Sequence, residues 1–397
     1  MGREKRKMNT LPRILVVHNR YRWSGGEDVV AEAEVALLRD HGHEVETYCR
    51  DNDAIGAMPR MAVAQETLWS SRTTDDLNDR IVSFRPDVVH VHNTFPLVSP
   101  SLFWVAARKR IPVVQTLHNF RLLCPQAMFL RENHVCEDCL GTAPWRSVVR
   151  RCYHDSAAES AVLTGMLMLH RALGTYRHKV TRYIALNRFC HDKFIEGGLP
   201  AERISIKPNF VDIPHTAEKK RADGLFVGRL APEKGIDLLL AALDRLPGTM
   251  IDVVGDGPEM NRMKRHPGAR YAGALTHDGV LERMQSAAFL VMPSIWYETF
   301  GLVLVEAFAC GLPVIASRLG AMEELIDDGR TGLLFDPGSA ADLARKIRWA
   351  QQNPDAMQLM GYHARGEYAT KYTPGSNYQQ LLAIYRQAIE EKRGPLH

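Results

Sequence analysis

The chain nowhere contains the run of about 18 apolar residues that a membrane-crossing helix needs, which argues against an integral membrane protein. An excess of one charge is missing as well. The formal net charge is +4 over 397 residues, too small to imply a nucleic-acid partner. No internal repeat or low-complexity tract is evident. The first glycine loop lacks the G-x-G-x-x-G fingerprint, which counts against a nicotinamide enzyme. The basic start "MGREKRKMNT" leads into no secretory apolar core. Residues 1–12 therefore read as a flexible tail, with Met8 an alternative start, and the expected location is the cytoplasm. Thiols stay reduced there, so the seven cysteines do not predict a disulfide framework.

What is present is an alternation of short β-branched runs with helical spacing. "RILVVHNRY" (13–21), "DVVHVHN" (87–93), "PVVQTLHN" (112–119) and "RYIALN" (182–187) read as strands. After the Pro-containing "KPNFVDIPH" (207–215) the pattern restarts with "GLFVGRL", "MIDVVGDG", "ARYAGAL", "AFLVMPS", "PVIAS" and "GLLFD". Such alternation predicts α/β architecture: two Rossmann-like, doubly wound parallel-sheet domains over residues 13–206 and 207–373, facing a central cleft. The helical segment in 374–397 is placed to pack back across the junction.

Two constellations carry chemistry. In "SIWYETFGLVLVEAFACGLPVIAS" (294–317), Glu298 and Glu306 form an E-x7-E. On a continuous helix they would stand about 12 Å apart and grip two ends of one elongated ligand. Backbone amides of Thr299, Phe300, Gly301 and Leu302 would favour phosphate. In "FVGRLAPEKGIDLLLAAL" (226–243), Arg229 and Lys234 occupy a strand-to-helix loop suited to clamping a diphosphate, though single loop cations are usually just solvated. Gly25 and Gly26 of "SGGE" let a backbone approach a ligand before a helix start, or simply make a turn.

Together with "VGDGPE", "KPNFVD" and the Gly-Gly loop, these motifs resemble the retaining glycosyltransferases of family 4, of GT-B fold, over nearly the whole chain. The resemblance implies a UDP-, GDP- or ADP-sugar donor on the C-terminal domain and an acceptor on the N-terminal one. It assigns Arg229 and Lys234 to the diphosphate, Glu306 to the ribose, Glu298 to the donor sugar, and Gly25 and Gly26 to the phosphates. It puts the base near Gly273 and His118 beside the reacting sugar. His118, Glu298, Arg229 and Lys234 would be the catalytic group. Retention by same-face attack, with no cofactor required, is implied. A nucleotide-sugar epimerase of the same fold and a non-catalytic nucleotide-sugar-binding protein remain the alternatives.

Residues 145–182 gather Arg146, Arg150, Arg151, Arg171, Arg177, Lys179 and Arg182 beside Trp145 and the apolar "AVLTGMLML". This is either a core-packed helix with solvated charges or a face resting on an anionic membrane at the inner side of the plasma membrane. A saccharide or lipid-linked acceptor of bacterial surface-polysaccharide assembly fits the second reading. Cys124, Cys136, Cys139 and Cys152 share one window, which reads as a structural zinc-type site, as ordinary reduced thiols or, least in keeping with a cytoplasmic chain, as disulfide or redox cysteines. Cys49, Cys190 and Cys310 sit in ordinary strand or helix contexts.

Overall fold

The computed structural model describes residues 11–22, 25–214 and 222–393. The tail 1–10, Ser24 of the glycine loop and His215 lie outside the described residues.

The first sheet comprises β1 (Ile14–Arg20), β2 (Val45–Asp51), β3 (Val88–Val91) and β4 (Val113–Thr116). A small antiparallel hairpin, β5 (Leu130–Arg131) with β6 (His134–Val135), stands apart, and β7 (Arg182–Ala185) and β8 (Ile204–Ile206) complete the sheet. Its order is β2-β1-β3-β4-β7-β8, with every pairing parallel. The second sheet contains β9 (Gly224–Val227), β10 (Ile251–Val254), β11 (Ala269–Gly273), β12 (Phe289–Met292), β13 (Val314–Ser317) and β14 (Gly332–Phe335). It runs β11-β10-β9-β12-β13-β14, again all parallel.

Parallel strands need crossovers, and the crossover helices cover both faces of each sheet, so the central strands are buried on both sides and mostly apolar. In β3, β4, β7, β12, β13 and β14 every residue is buried. Each sheet consequently has two apolar clusters, one per face. One face of the first sheet is covered by the helix Pro374–Arg393, whose Tyr378, Leu381, Leu382 and Tyr385 join Ile14, Val16, Val88 and Val114. The final helix thus serves the N-terminal sheet after the chain has completed the C-terminal one.

Both sheets have a point where strand order reverses direction, and ligands of open α/β sheets bind at such points. In the first it falls between β1 and β3, in the second between β9 and β12. The loops leaving β1 and β3 therefore carry Gly25 and His92, and those leaving β9 and β12 carry Arg229, Lys234 and Glu298.

Candidate active site

Gly235 fixes the local geometry on the C-terminal side. Its φ is 74°, and a β-carbon there would lie 1.8 Å from the Pro293 carbonyl oxygen, so only glycine lets the two switch-point loops abut. Lys234 is thereby brought to Glu298, Nζ to Oε1 2.6 Å. The same oxygen accepts from Ser294 Oγ at 2.8 Å and from Trp296 Nε1 at 3.0 Å. Glu298 is buried, and these three bonds leave its Oε2 for a ligand hydroxyl. Arg229 is exposed and makes no side-chain hydrogen bond or ion pair among the described residues.

One expectation is corrected here. Glu298 does not share a helix with Glu306: the helix is Leu302–Ala309, preceded by Gly301 at φ 76° in the left-handed region. The apolar run imitated a longer helix, but the break at Gly301 puts Glu298 in the loop. The helix opens without a side-chain cap, leaving its first amides and positive dipole end to an anion. Phe300 contributes backbone only, since its ring is buried in the core against Tyr372. Glu306 lies 3.7 Å from Nδ1 of His277, a residue that sequence reasoning missed. Burial pushes the Glu306 carboxyl up, and His277 opposes that shift. Gly273 ends β11 at φ 80°, four residues before His277 opens the next helix.

The two halves meet at Thr299. Its hydroxyl donates to the His118 carbonyl at 2.7 Å, and its own carbonyl accepts from Asn187 Nδ2 at 2.6 Å and Cys190 Sγ at 3.3 Å. Cys190 is thus part of the domain junction rather than an ordinary helix residue. Across the cleft, a β-carbon at Gly26 would stand 3.3 Å from Leu302 Cδ1. The glycine loop therefore faces the helix start. Asp28 shapes that loop, accepting from the Gly25 amide at 2.8 Å and binding His18 Nε2 at 2.7 Å. Burial pushes Asp28 up, but these bonds hold it below its ordinary value. Glu27, also missed, is half-buried against Asn119 and Tyr21, with its carboxyl pushed up by burial and its Oε2 unpartnered.

Beneath His118 runs a buried polar chain that no sequence motif announces. His118 Nε2 meets His92 Nδ1 at 2.9 Å, His92 Nε2 faces Glu34 Oε2 at 3.6 Å, and Glu34 Oε1 pairs with Lys207 Nζ at 2.6 Å. Burial pushes Glu34 up, but Lys207 together with the neighbouring His92 and His118 holds it below its ordinary value, so the carboxylate is ionised. An ionised Glu34 favours the proton of His92 on Nε2, making Nδ1 an acceptor for the His118 Nε2 proton. His118 then keeps Nδ1 as an acceptor. It is neutral, since burial pushes its pKa down to about 3.

Glu34, His90 and His92 also form the one group of metal-ligand atoms lying mutually within 4.8 Å among the described residues. They read as a proton-ordering network instead. Lys207 already neutralises Glu34, and both nitrogens of His90 are engaged, by Thr116 Oγ1 at 2.8 Å and Tyr385 OH at 2.7 Å.

In the basic stretch, Arg182 lies in β7, buried and paired with Glu391, and Arg171 donates to the carbonyls of Thr142 and Leu122. Neither serves a membrane-facing surface, because these partners hold both inward. Arg146, Arg150 and Arg151 remain near the exposed Trp145 and Val149. No helix among the described residues is long and apolar enough to cross a membrane.

Two family models match the chain: Glycosyltransferase Family 4 over residues 23–214 and Glycosyl transferases group 1 over residues 211–367. A sulfoquinovosyl transferase of Arabidopsis thaliana is 32% identical over 44% of the chain, a match spanning only 36% of that protein's length. A glycogen synthase of Mycobacterium tuberculosis is 28% identical over 79% of the chain and 72% of its own length. Among solved structures, the sucrose-phosphate synthase of Thermosynechococcus elongatus superposes with a TM-score of 0.70, at 18% identity, covering 94% of this chain and 98% of that one. Anabaena HepE in complex with UDP-glucose gives 0.63 at 17% identity, covering 94% and 99%. The fold is GT-B.

Proposed function

Because the chain belongs to the family 4, group 1 glycosyltransferases, we propose that it moves a sugar from a nucleotide-sugar donor to a saccharide or lipid-linked saccharide acceptor, retaining anomeric configuration, in bacterial surface-polysaccharide assembly. The observation that carries this reading is the meeting of Lys234, Glu298 and Thr299 with His118 where the two switch points face each other.

As the bond to the diphosphate breaks, positive charge grows at the anomeric carbon and negative charge on the departing phosphate. Lys234 spends one of its three ammonium protons on Glu298 and keeps two for the phosphate. With Arg229 and the uncapped amides at Leu302, it stabilises the leaving group without a required metal ion. The acceptor hydroxyl attacks from the same face, and its proton passes to the leaving phosphate oxygen. His118, neutral and oriented by His92, serves as a hydrogen-bond acceptor for the donor sugar, not as an acid. Glu306 takes the ribose hydroxyls, and the base lies by Gly273. The exposed Trp145, Val149, Met168, Leu169 and Leu173, with Arg146 and Arg151 nearby, favour a lipid-linked acceptor met at the cytoplasmic membrane surface.

The test offers the purified chain UDP-, GDP- and ADP-sugars and measures nucleotide release, with and without acceptor extracted from membranes. Release from one donor class, accelerated by the extract, is expected. Binding without turnover would favour a non-catalytic sugar-nucleotide binder, and accumulation of an epimerised donor would favour an epimerase.

A further inference from the structure

The four cysteines between residues 124 and 152 are free thiols brought around one small cavity of about 20 Å³, room for a single atom of water size. They arrive from three separate places: the turn after Leu123, the Cys136–Cys139 turn after the β5–β6 hairpin, and Cys152 after the short helix Arg146–Val149. Cys124 and Cys139 are buried, and Cys136 and Cys152 are partly open to solvent. Arg131, Arg146 and Arg150 line the same cavity, and Arg150 reaches Cys136 Sγ at 4.0 Å. Arg131 pairs with Glu132 and Arg150 with Asp138, but the three guanidiniums still place positive charge beside the four sulfurs.

The segment is also strained. Of the eleven non-glycine residues at positive φ among the described residues, five fall here, Ala127, Phe129, Glu132, Asn133 and Arg151, and His154 and Asp155 follow directly after it. Such backbone persists where its surroundings over-determine it, and a two-residue-per-strand hairpin cannot do that alone.

We propose that Cys124, Cys136, Cys139 and Cys152 bind one structural zinc ion. Four soft sulfur ligands select zinc, which takes them tetrahedrally at about 2.3 Å. The four thiol protons leave to solvent as the thiolates ligate, and no redox partner is involved. The sulfurs are spaced more widely than the Glu34, His90 and His92 atoms, so ligation draws the segment inward. That contraction bears on the active site. Glu137, inside the Cys136–Cys139 turn, pairs with Lys193 and lies near the Tyr297 hydroxyl, and the Tyr297 ring meets Phe129. Tyr297 immediately precedes Glu298, so the zinc segment braces the loop that holds the donor-side carboxylate.

The full chain, expressed with zinc and purified without chelator, should carry about one zinc per chain by elemental analysis. Cys136→Ser/Cys139→Ser should carry none. That variant risks misfolding, so a second measurement uses the unaltered chain: cobalt(II) added after zinc removal should give sulfur-to-cobalt charge-transfer absorption and the intense d–d bands of a tetrahedral site. Protein with no zinc above the buffer blank, or cobalt addition without those bands, overturns the proposal. So does a disulfide among the four cysteines in freshly isolated protein. None of these readouts depends on glycosyl transfer, so the zinc site stands or falls apart from the catalytic reading.

Discussion

The two halves of the molecule build their sides of the cleft in opposite ways. In the C-terminal half, the functional side chains stand beyond the strand ends, Arg229, Lys234 and Glu298 on loops and Glu306 on a helix, and several are partly open to solvent: Arg229, Lys234 and Glu306. In the N-terminal half, the corresponding chemistry is a buried chain of Glu34, His90, His92 and His118, closed by Lys207 from the linker and Tyr385 from the last helix. Under the proposed function the first arrangement spends its charges on a ligand. The second spends them inside the protein, fixing which nitrogen of His118 carries the proton. Removing a charge should therefore cost rate in the C-terminal half and stability in the N-terminal half.

The largest effect is expected at Lys207→Met. Both partners of the Lys207–Glu34 pair are essentially inaccessible, so the variant strands a buried carboxylate. Loss of a partner from such a pair costs about 3–5 kcal/mol, and Glu34→Leu/Lys207→Met should recover much of it. Denaturant unfolding measures both. A single-variant cost below about 1 kcal/mol would break the contrast between the halves.

Lys234→Ala should do the reverse. Removing one preorganised donor to the leaving group lowers kcat about 10²–10³-fold. The fold should hold, since Glu298 keeps Ser294 and Trp296. Steady-state kinetics with whichever donor is turned over decides this, and near wild-type turnover would remove Lys234 from the catalytic group.

This contrast also explains what could be read in advance. Lys234 and Glu298 lie 64 residues apart yet were both legible, because each sits in a motif where glycine and proline mark a strand-to-helix loop. Glu34 and Lys207 carry no such mark: one falls within a helix of ordinary amphipathic spacing, the other at the start of a linker that reads as polar surface. Their pairing is a tertiary fact, and so is the His92–His118 contact, made between the ends of neighbouring strands β3 and β4. Strand β2 was illegible for a different reason. "VETYCRD" is an edge strand with mixed exposure, so it lacks the continuous apolar run of its neighbours.

A pH series sharpens the comparison further. Burial lowers the pKa of His90, His92 and His118, the last from 6.5 to about 3. Between those values the unfolded chain takes up protons that the folded chain refuses, so stability falls as pH drops and is complete above the unfolded value. Each histidine contributes up to about 1.4 kcal/mol per pH unit in that window. Denaturant unfolding between about pH 5 and 7 should show the slope, and His118→Asn should reduce it. A slope unchanged by that variant would mean that His118 is protonated in the fold.

The smallest effect is expected at His277→Ala, and it tests whether the C-terminal half is as ligand-directed as the comparison requires. His277 is well exposed, 3.7 Å from Glu306, so its attraction is screened and worth about 1 kcal/mol or less. Without it burial pushes Glu306 further up, so a larger fraction of the carboxyl is protonated and a poorer acceptor for ribose hydroxyls. Donor Kd should weaken about fivefold or less, with kcat unchanged, because the ribose is bound alike before and during transfer. Calorimetric titration of donor nucleotide separates three cases. A loss beyond about tenfold would make His277 itself a ligand contact. No loss would leave Glu306 positioned by its helix alone, and a fall in kcat with unchanged Kd would move this corner of the site from binding to chemistry.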